Sequence, residues 1–170
     1  MDKNKSVMVT DAAASDMFFQ QMALIGEENV RLSFFKYSKT VRIDAVNQSN
    51  SGTIKISGAD FLMRDIEIIG YDKNGHILGI GNIPRDRFVV MMTNTTTGDK
   101  YSNESIDVGH YAPTKMFGGT KITPLKFKNG AEIEFEIKHD PVSTNTQGYA
   151  QIEPPVEFQI ILSGAKIYPN

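Results

Sequence analysis

Apolar and polar side chains alternate most strictly in residues 131–138, which read Ala-Glu-Ile-Glu-Phe-Glu-Ile-Lys. Ile133, Phe135 and Ile137 point one way, and Glu132, Glu134, Glu136 and Lys138 the other. A period of two over this length describes a strand with one apolar and one solvated face. Near the C-terminus the pattern returns: Val156, Phe158, Ile160 and Leu162 face in and Glu157 and Gln159 face out, until Ile161 breaks it. Two such ribbons need cover for their apolar faces, and the rest of the chain offers mainly more strands. The pattern predicts an all-β, two-sheet antiparallel β-sandwich.

Earlier segments agree. Val30, Leu32 and Phe34 alternate with Arg31, Ser33 and Lys36, with Phe35 and Tyr37 making the second face partly apolar, and Val41, Ile43 and Ala45 alternate with Arg42 and Asp44. Residues 47–52 read as a loop by composition, 53–57 as a short strand and 61–71 as a longer one. Asp72-Lys73-Asn74-Gly75 is a hairpin turn in which Asn-Gly supplies the positive φ angles, with a return strand at 76–80. Residues 87–93, 100–108 and 121–127 are further candidates. Residues 109–119 are irregular, and 139–155 form the longest break. This makes nine or ten strands at sandwich spacing.

One segment has a different period. Ala14, Phe18, Met22 and Ile25 fall four, four and three apart, with Met17 and Leu24 widening the stripe. Thr10 or Asp11 can cap a helix there and Gly26 can end it. Alone so short a helix is marginal, so its apolar face must dock either on the sandwich or on a neighbouring subunit. The expected division is therefore an N-terminal arm and docking helix over residues 1–28 and the sandwich over 29–170.

Composition narrows the function. A 170-residue chain with 40% hydrophobic and 22% charged residues can bury one core. A net charge of −2 without a basic block argues against strong nucleic-acid binding. With no cysteine, disulfides, thiolate catalysis and Cys-based zinc sites are excluded. The first ten residues lack a signal-like apolar run, and no segment approaches the roughly 18 apolar residues of a transmembrane helix. A protein made and kept in a cytoplasm, or assembled there into something larger, is expected.

No catalytic residue, cofactor site or metal site is read from the sequence. His76, His110 and His139 are scattered outside metal-ligand spacings. His139-Asp140 has the order of a base and its orienter, but a surface histidine at a strand end is the expected account. Asp72, Asn74 and Gly75 lack the twelfth-position Glu of a calcium loop. Glu132, Glu134 and Glu136 stand roughly 7 Å apart along a strand, within glycosidase range, yet a solvated strand face looks the same. Gly79-Ile80-Gly81 and Gly118-Gly119 lack a phosphate loop's spacing and lysine. Tyr101, Tyr111 and Tyr149 sit in or near loops, where they can stack on sugars, pack their loops down or fill an interface. An enzyme is not expected.

The C-terminal third carries a resemblance. Thr123-Pro124-Leu125-Lys126-Phe127-Lys128-Asn129-Gly130, leading into Glu132-Ile133-Glu134-Phe135-Glu136-Ile137, is similar to a segment that recurs in the single jelly-roll capsid proteins of icosahedral virions, tailless phages in particular. The likeness extends over Val30 to Tyr168 and transfers no functional residue. It implies a jelly roll that self-assembles in a virion, formed in the host cytoplasm, with copies of itself and other virion proteins as partners. The arm and helix would then reach an adjacent subunit or the interior. Candidate interface residues are Phe18, Met22, Ile25, Tyr111 and Tyr149. A carbohydrate- or receptor-binding sandwich is the alternative.

Overall fold

The structure, a computed structural model, describes residues 8–9, 30–78, 86–102, 104–111, 120–141 and 154–169. Ten strands run in chain order: β1 (Met8–Val9), β2 (Val30–Ile43), β3 (Ser49–Lys55), β4 (Asp60–Tyr71), β5 (Asp86–Asn94), β6 (Asp99–Lys100), β7 (Ile106–Asp107), β8 (Thr120–Phe127), β9 (Glu132–Pro141) and β10 (Val156–Pro169). A 3-10 turn, Val108–Tyr111, follows β7.

One sheet has the order β1-β2-β10-β4-β8. The other has the order β3-β9-β5-β6, with β7 also on β5. All pairs are antiparallel except β1 with β2. The two strongest alternating segments hold the middle positions, β9 between β3 and β5 and β10 between β2 and β4. Their inward side chains are shut off from water: Ile133, Phe135, Ile137, Val156, Ile160 and Leu162 are all 0% exposed. With Ile43, Ile56, Phe61, Met63, Ile68 and Phe127 they form one core between the sheets. Each such side chain contributes on the order of 1.5–3 kcal/mol by leaving water. The all-β sandwich is thus the observed architecture.

Several boundaries differ from the sequence reading. Residues 30–45, expected as two strands, form a single 14-residue β2 ending at Ile43, because every residue pairs with β10 from Val30↔Pro169 to Ile43↔Val156. Ser49, Asn50, Ser51 and Gly52, expected in a loop, belong to β3 through pairing with residues 135–138 of β9. The return segment after Asp72–Gly75 makes only one bridge, Tyr71↔Ile77. The expected strand at 100–108 is broken into β6, β7 and the 3-10 turn. β10 does not stop at Leu162 but runs to Pro169.

A bulge in β4 reverses its faces. Arg64 has no opposite number, since Met63 pairs with Gly164 and Asp65 with Ser163. One extra residue shifts the alternation by one. Phe61 and Met63 therefore face the core before the bulge, and Ile66 and Ile68 after it. Leu62 points to the opposite, outer face, where it is 0% exposed and joins Val30, Leu32, Ala165 and Ile167 in a second cluster. The expected N-terminal helix at 11–25 lies outside the described residues.

Candidate functional site: the β2 edge

β2 has β10 along one side. On the other, among the described residues, only Met8 and Val9 of β1 pair with it, opposite Arg31 and Leu32. Beyond Leu32 no described residue pairs with this side of β2, and a strand edge of that kind presents alternate N–H and C=O groups suited to pairing with another chain. At its far end this edge is closed by the turn into β3, where the Asn50 side-chain amide donates to the Arg42 carbonyl (2.9 Å).

The side chains on this edge are unusual for a solvated strand. Phe34 and Phe35 are 48% and 37% exposed, and they point to opposite faces as neighbours in a strand must. Phe35 is held from below: its ring meets Tyr37 edge-on at 4.7 Å, and Tyr37 meets Phe61 of the core at 5.1 Å. The Lys166 ammonium sits 3.8 Å from the Phe35 ring centroid and 5.4 Å from that of Tyr37. Such a cation over a ring face is attracted by about 0.5–2 kcal/mol, depending on desolvation. The Tyr37 hydroxyl donates to the Ser57 carbonyl and accepts from the Ser57 N–H, both at 3.0 Å. Lys36 and Lys39 are exposed along the same strand, and Arg42 beyond them is ion-paired with Asp44 (2.6 Å) and Glu157 (3.2 Å). The arrangement is a rigid aromatic anchor beside open backbone groups, suited to contact with a protein surface.

The sequence candidates fall elsewhere. Tyr111 ends the 3-10 turn half-buried and packs against the main core, and burial raises the pKa of its hydroxyl. Phe18, Met22, Ile25 and Tyr149 lie outside the described residues, as do Gly79-Ile80-Gly81 and Gly118-Gly119. Tyr101 is likewise packed on the core, edge-on to Phe127 at 5.7 Å, with its pKa raised chiefly by burial.

His139 is not the surface residue expected. It is 1% exposed, stacked on Phe88 at 4.6 Å, and its Nδ1 accepts the Asn47 N–H at 3.3 Å. The last turn of β9 places it on the inward face after Ile133, Phe135 and Ile137, so it continues the core row. His76 is exposed beside Asp72 (3.2 Å), and His110 is exposed with its ring against Tyr111. Glu132 pairs with Lys55 (3.3 Å) and Glu136 accepts from the Ser49 hydroxyl (2.6 Å), which makes them cross-strand partners on the wet face of β9.

Among the described residues no three His, Cys, Asp or Glu side chains are grouped closely enough to hold a metal ion, and no helix is long and apolar enough to cross a membrane. The β2 edge was missed in the sequence because Phe34-Phe35 read as part of a buried strand. The signal available was the adjacent aromatic pair itself, since in a strand both cannot face one core. No family model and no curated protein matches this chain.

Proposed function

We propose that this protein is a jelly-roll structural subunit of an icosahedral virion, a capsid or capsid-associated component that self-assembles through its loops, its N-terminal arm and the β2 edge. The observation that carries the reading is the nesting of strand partners. β2 pairs with β10, β3 with β9, β4 with β8, and β5 with β6 and β7, each antiparallel. A chain folded into one long antiparallel hairpin makes these pairs. Rolling that hairpin over itself brings β10 beside β4 and β9 beside β5, and both contacts are present. A rolled hairpin of eight strand positions is the jelly roll, an architecture of viral capsid domains and also of lectins and cupins.

The open β2 edge favours the capsid use among these. Closed shells are built from self-complementary or head-to-tail contacts between copies, and a half-paired strand flanked by Phe34 and Phe35 offers such a contact. Among the described residues, Tyr101 and Tyr111 direct their rings against the core rather than outward, so neither offers the glycan reading a platform.

The test is the mass of the purified chain in solution by light scattering. Defined oligomers or shells are expected, weakened by removal of residues 1–7, which precede β1. A chain that stays monomeric at high concentration and is retained on an immobilised glycan would overturn the proposal.

A further inference from the structure

Lys166 takes an inward position of β10, in line after Phe158, Ile160 and Leu162, and lies between Ser33 of β2 and Phe61 of β4 in the sheet register. It is 9% exposed, an unusual burial for a lysine. Its ammonium rests on two rings, 3.8 Å from the centroid of Phe35 and 5.4 Å from that of Tyr37, and a β-carbon placed on Gly58 would stand 3.5 Å from the nitrogen. A ring face attracts a cation, but an ammonium also carries three N–H donors that need acceptors. Among the described residues, no carboxylate, hydroxyl or carbonyl group bonds this one.

The polar groups around it are committed elsewhere. The Tyr37 hydroxyl exchanges two bonds with the Ser57 backbone, both at 3.0 Å. Asp60 accepts from the Lys128 ammonium at 3.1 Å and from the Asn129 N–H at 2.8 Å, and Glu132 pairs with Lys55 at 3.3 Å. Yet the place is open to a newcomer. The opposing sheet covers β2 at Lys39 and Val41, where Gly52 of β3 lies against their side chains, and the chain leaving that sheet touches Tyr37 through Ser57. Past Tyr37, Phe35 is 37% exposed, Ser57 and Gly58 are exposed and Ser33 is half-buried. The ammonium therefore stands just inside a mouth at this end of the sandwich, with β2 as one lip.

We propose that this mouth is a carboxylate-binding site, taking a glutamate or aspartate side chain from a protein partner laid along β2. Burying an ammonium without an anion is costly, and an arriving carboxylate recovers that cost by supplying the acceptors. The site offers one positive charge, and the neighbouring Tyr37 hydroxyl and Ser57 N–H already satisfy each other. That suits a singly charged carboxylate better than a phosphate, whose oxygens take several donors. A protein segment fits better than a free small acid, because the exposed Phe35 ring and the backbone groups of β2 give an extended chain contacts that a free acid cannot use. The site does not depend on the capsid reading: a chain that stays monomeric and still binds an acidic segment would sink that reading and leave this one standing.

The test is an NMR titration of the full chain, isotope-labelled at lysine and phenylalanine, with three probes: the blocked peptide acetyl-Thr-Val-Glu-Val-Thr-amide, its glutamine counterpart, and propionate. The glutamate peptide should shift the Lys166 side-chain and Phe35 ring signals. It should bind at least about tenfold more tightly than the glutamine peptide, the factor that one charge-assisted hydrogen bond supplies. Propionate should move the same lysine signals only at higher concentration. Lys166→Met, which keeps the apolar stem, should erase the preference for glutamate, whereas Lys36→Met, which removes an exposed cation from β2, should keep it. The shifts are read on the unaltered chain, so the test holds even where Lys166→Met fails to fold. Lys166 signals that stay still at the highest peptide concentration, equal affinity for the two peptides, or loss of the preference in Lys36→Met would overturn the proposal. Propionate binding as tightly as the peptide would overturn the protein partner in favour of a free carboxylate.

Discussion

Gly164 of β10 is pressed against the Leu62 carbonyl of β4, so closely that a β-carbon on residue 164 would overlap that oxygen and lie 3.0 Å from Met63 Cα. The contact sits at the β4 bulge, where Gly164 pairs with Met63 and the register shifts past Arg64. Both obstacles are backbone atoms in the middle of a sheet, which cannot swing aside as a side chain can. Gly164→Ala should therefore cost about 3 kcal/mol or more, at or above the upper end of ordinary overpacking. Gly98, with φ +79° and open space around it, gives the comparison: Gly98→Ala should cost about 1 kcal/mol from the strained φ alone. Denaturant unfolding of the two variants checks this, and equal losses would refute the close-approach argument.

The same bulge explains part of what the sequence could and could not disclose. Strict alternation in β9 and in the first half of β10 was readable because one face meets the core and the other water. Leu62 was not, since no residue pattern announces that Arg64 is supernumerary and that the faces exchange there. The continuity of β2 was hidden by Lys36, Ser38, Lys39 and Thr40, which are polar because that stretch is exposed on both sides, not because the strand ends. Its partner β10, not its own composition, holds it extended. The rolled pairing order depends on contacts between strands distant in sequence, which periodicity cannot rank. As for the site, Tyr111 packs half-buried against the core, and the exposed aromatic pair was visible only as an excess of apolar side chains on one strand.

His139 stacks on Phe88, which in turn meets Phe158 at 4.8 Å, so the imidazole is a wall of the core. It also fixes the turn before β3 through the Asn47 N–H, a residue held at φ 59°. His139→Ala removes both the ring and an acceptor from a buried site. A loss of about 3–5 kcal/mol is expected, combining a cavity cost with a backbone donor left unpaired. His139→Gln, which keeps an acceptor but not the ring, should recover part of it. Thermal unfolding of the pair separates the two contributions, and a neutral His139→Ala would show that the stack is idle.

Asp72 organises the turn that follows β4. Its Oδ1 accepts the N–H groups of Asn74 and His76, both at 2.8 Å, and these bonds, the one from His76 foremost, hold its pKa below the ordinary aspartate value. A depressed carboxylate pKa contributes stability that is fully present above the unfolded value, about 3.9, and is lost as pH falls through the lower folded value. The hairpin should therefore stay ordered at pH 4–7 and loosen only below about pH 4. Carboxyl chemical shifts followed by NMR give the midpoint directly. Asp72→Asn keeps an acceptor for both N–H groups without the titration, so the protection of the Asn74 and His76 amides against exchange should no longer fall at acid pH in that variant.

The β2 edge supplies the last expectation. Phe34 is the most exposed phenylalanine described and lies outside both buried clusters, so Phe34→Ser should change stability by less than about 1 kcal/mol. If copies of the chain meet along β2, the same change removes an aromatic anchor from a desolvated contact, where truncation costs about 2 kcal/mol or more. Subunit affinity should then fall by at least about tenfold, since 1.4 kcal/mol corresponds to that factor. Lys36→Glu, which reverses the charge next to that ring without touching the core, should alter assembly in a salt-dependent way, because exposed charges are screened beyond about 8 Å at physiological ionic strength. Sedimentation velocity at two salt concentrations reads both effects. Unchanged assembly in Phe34→Ser and Lys36→Glu, with the fold intact, would move the contact surface off β2 and onto the loops at the ends of the sandwich.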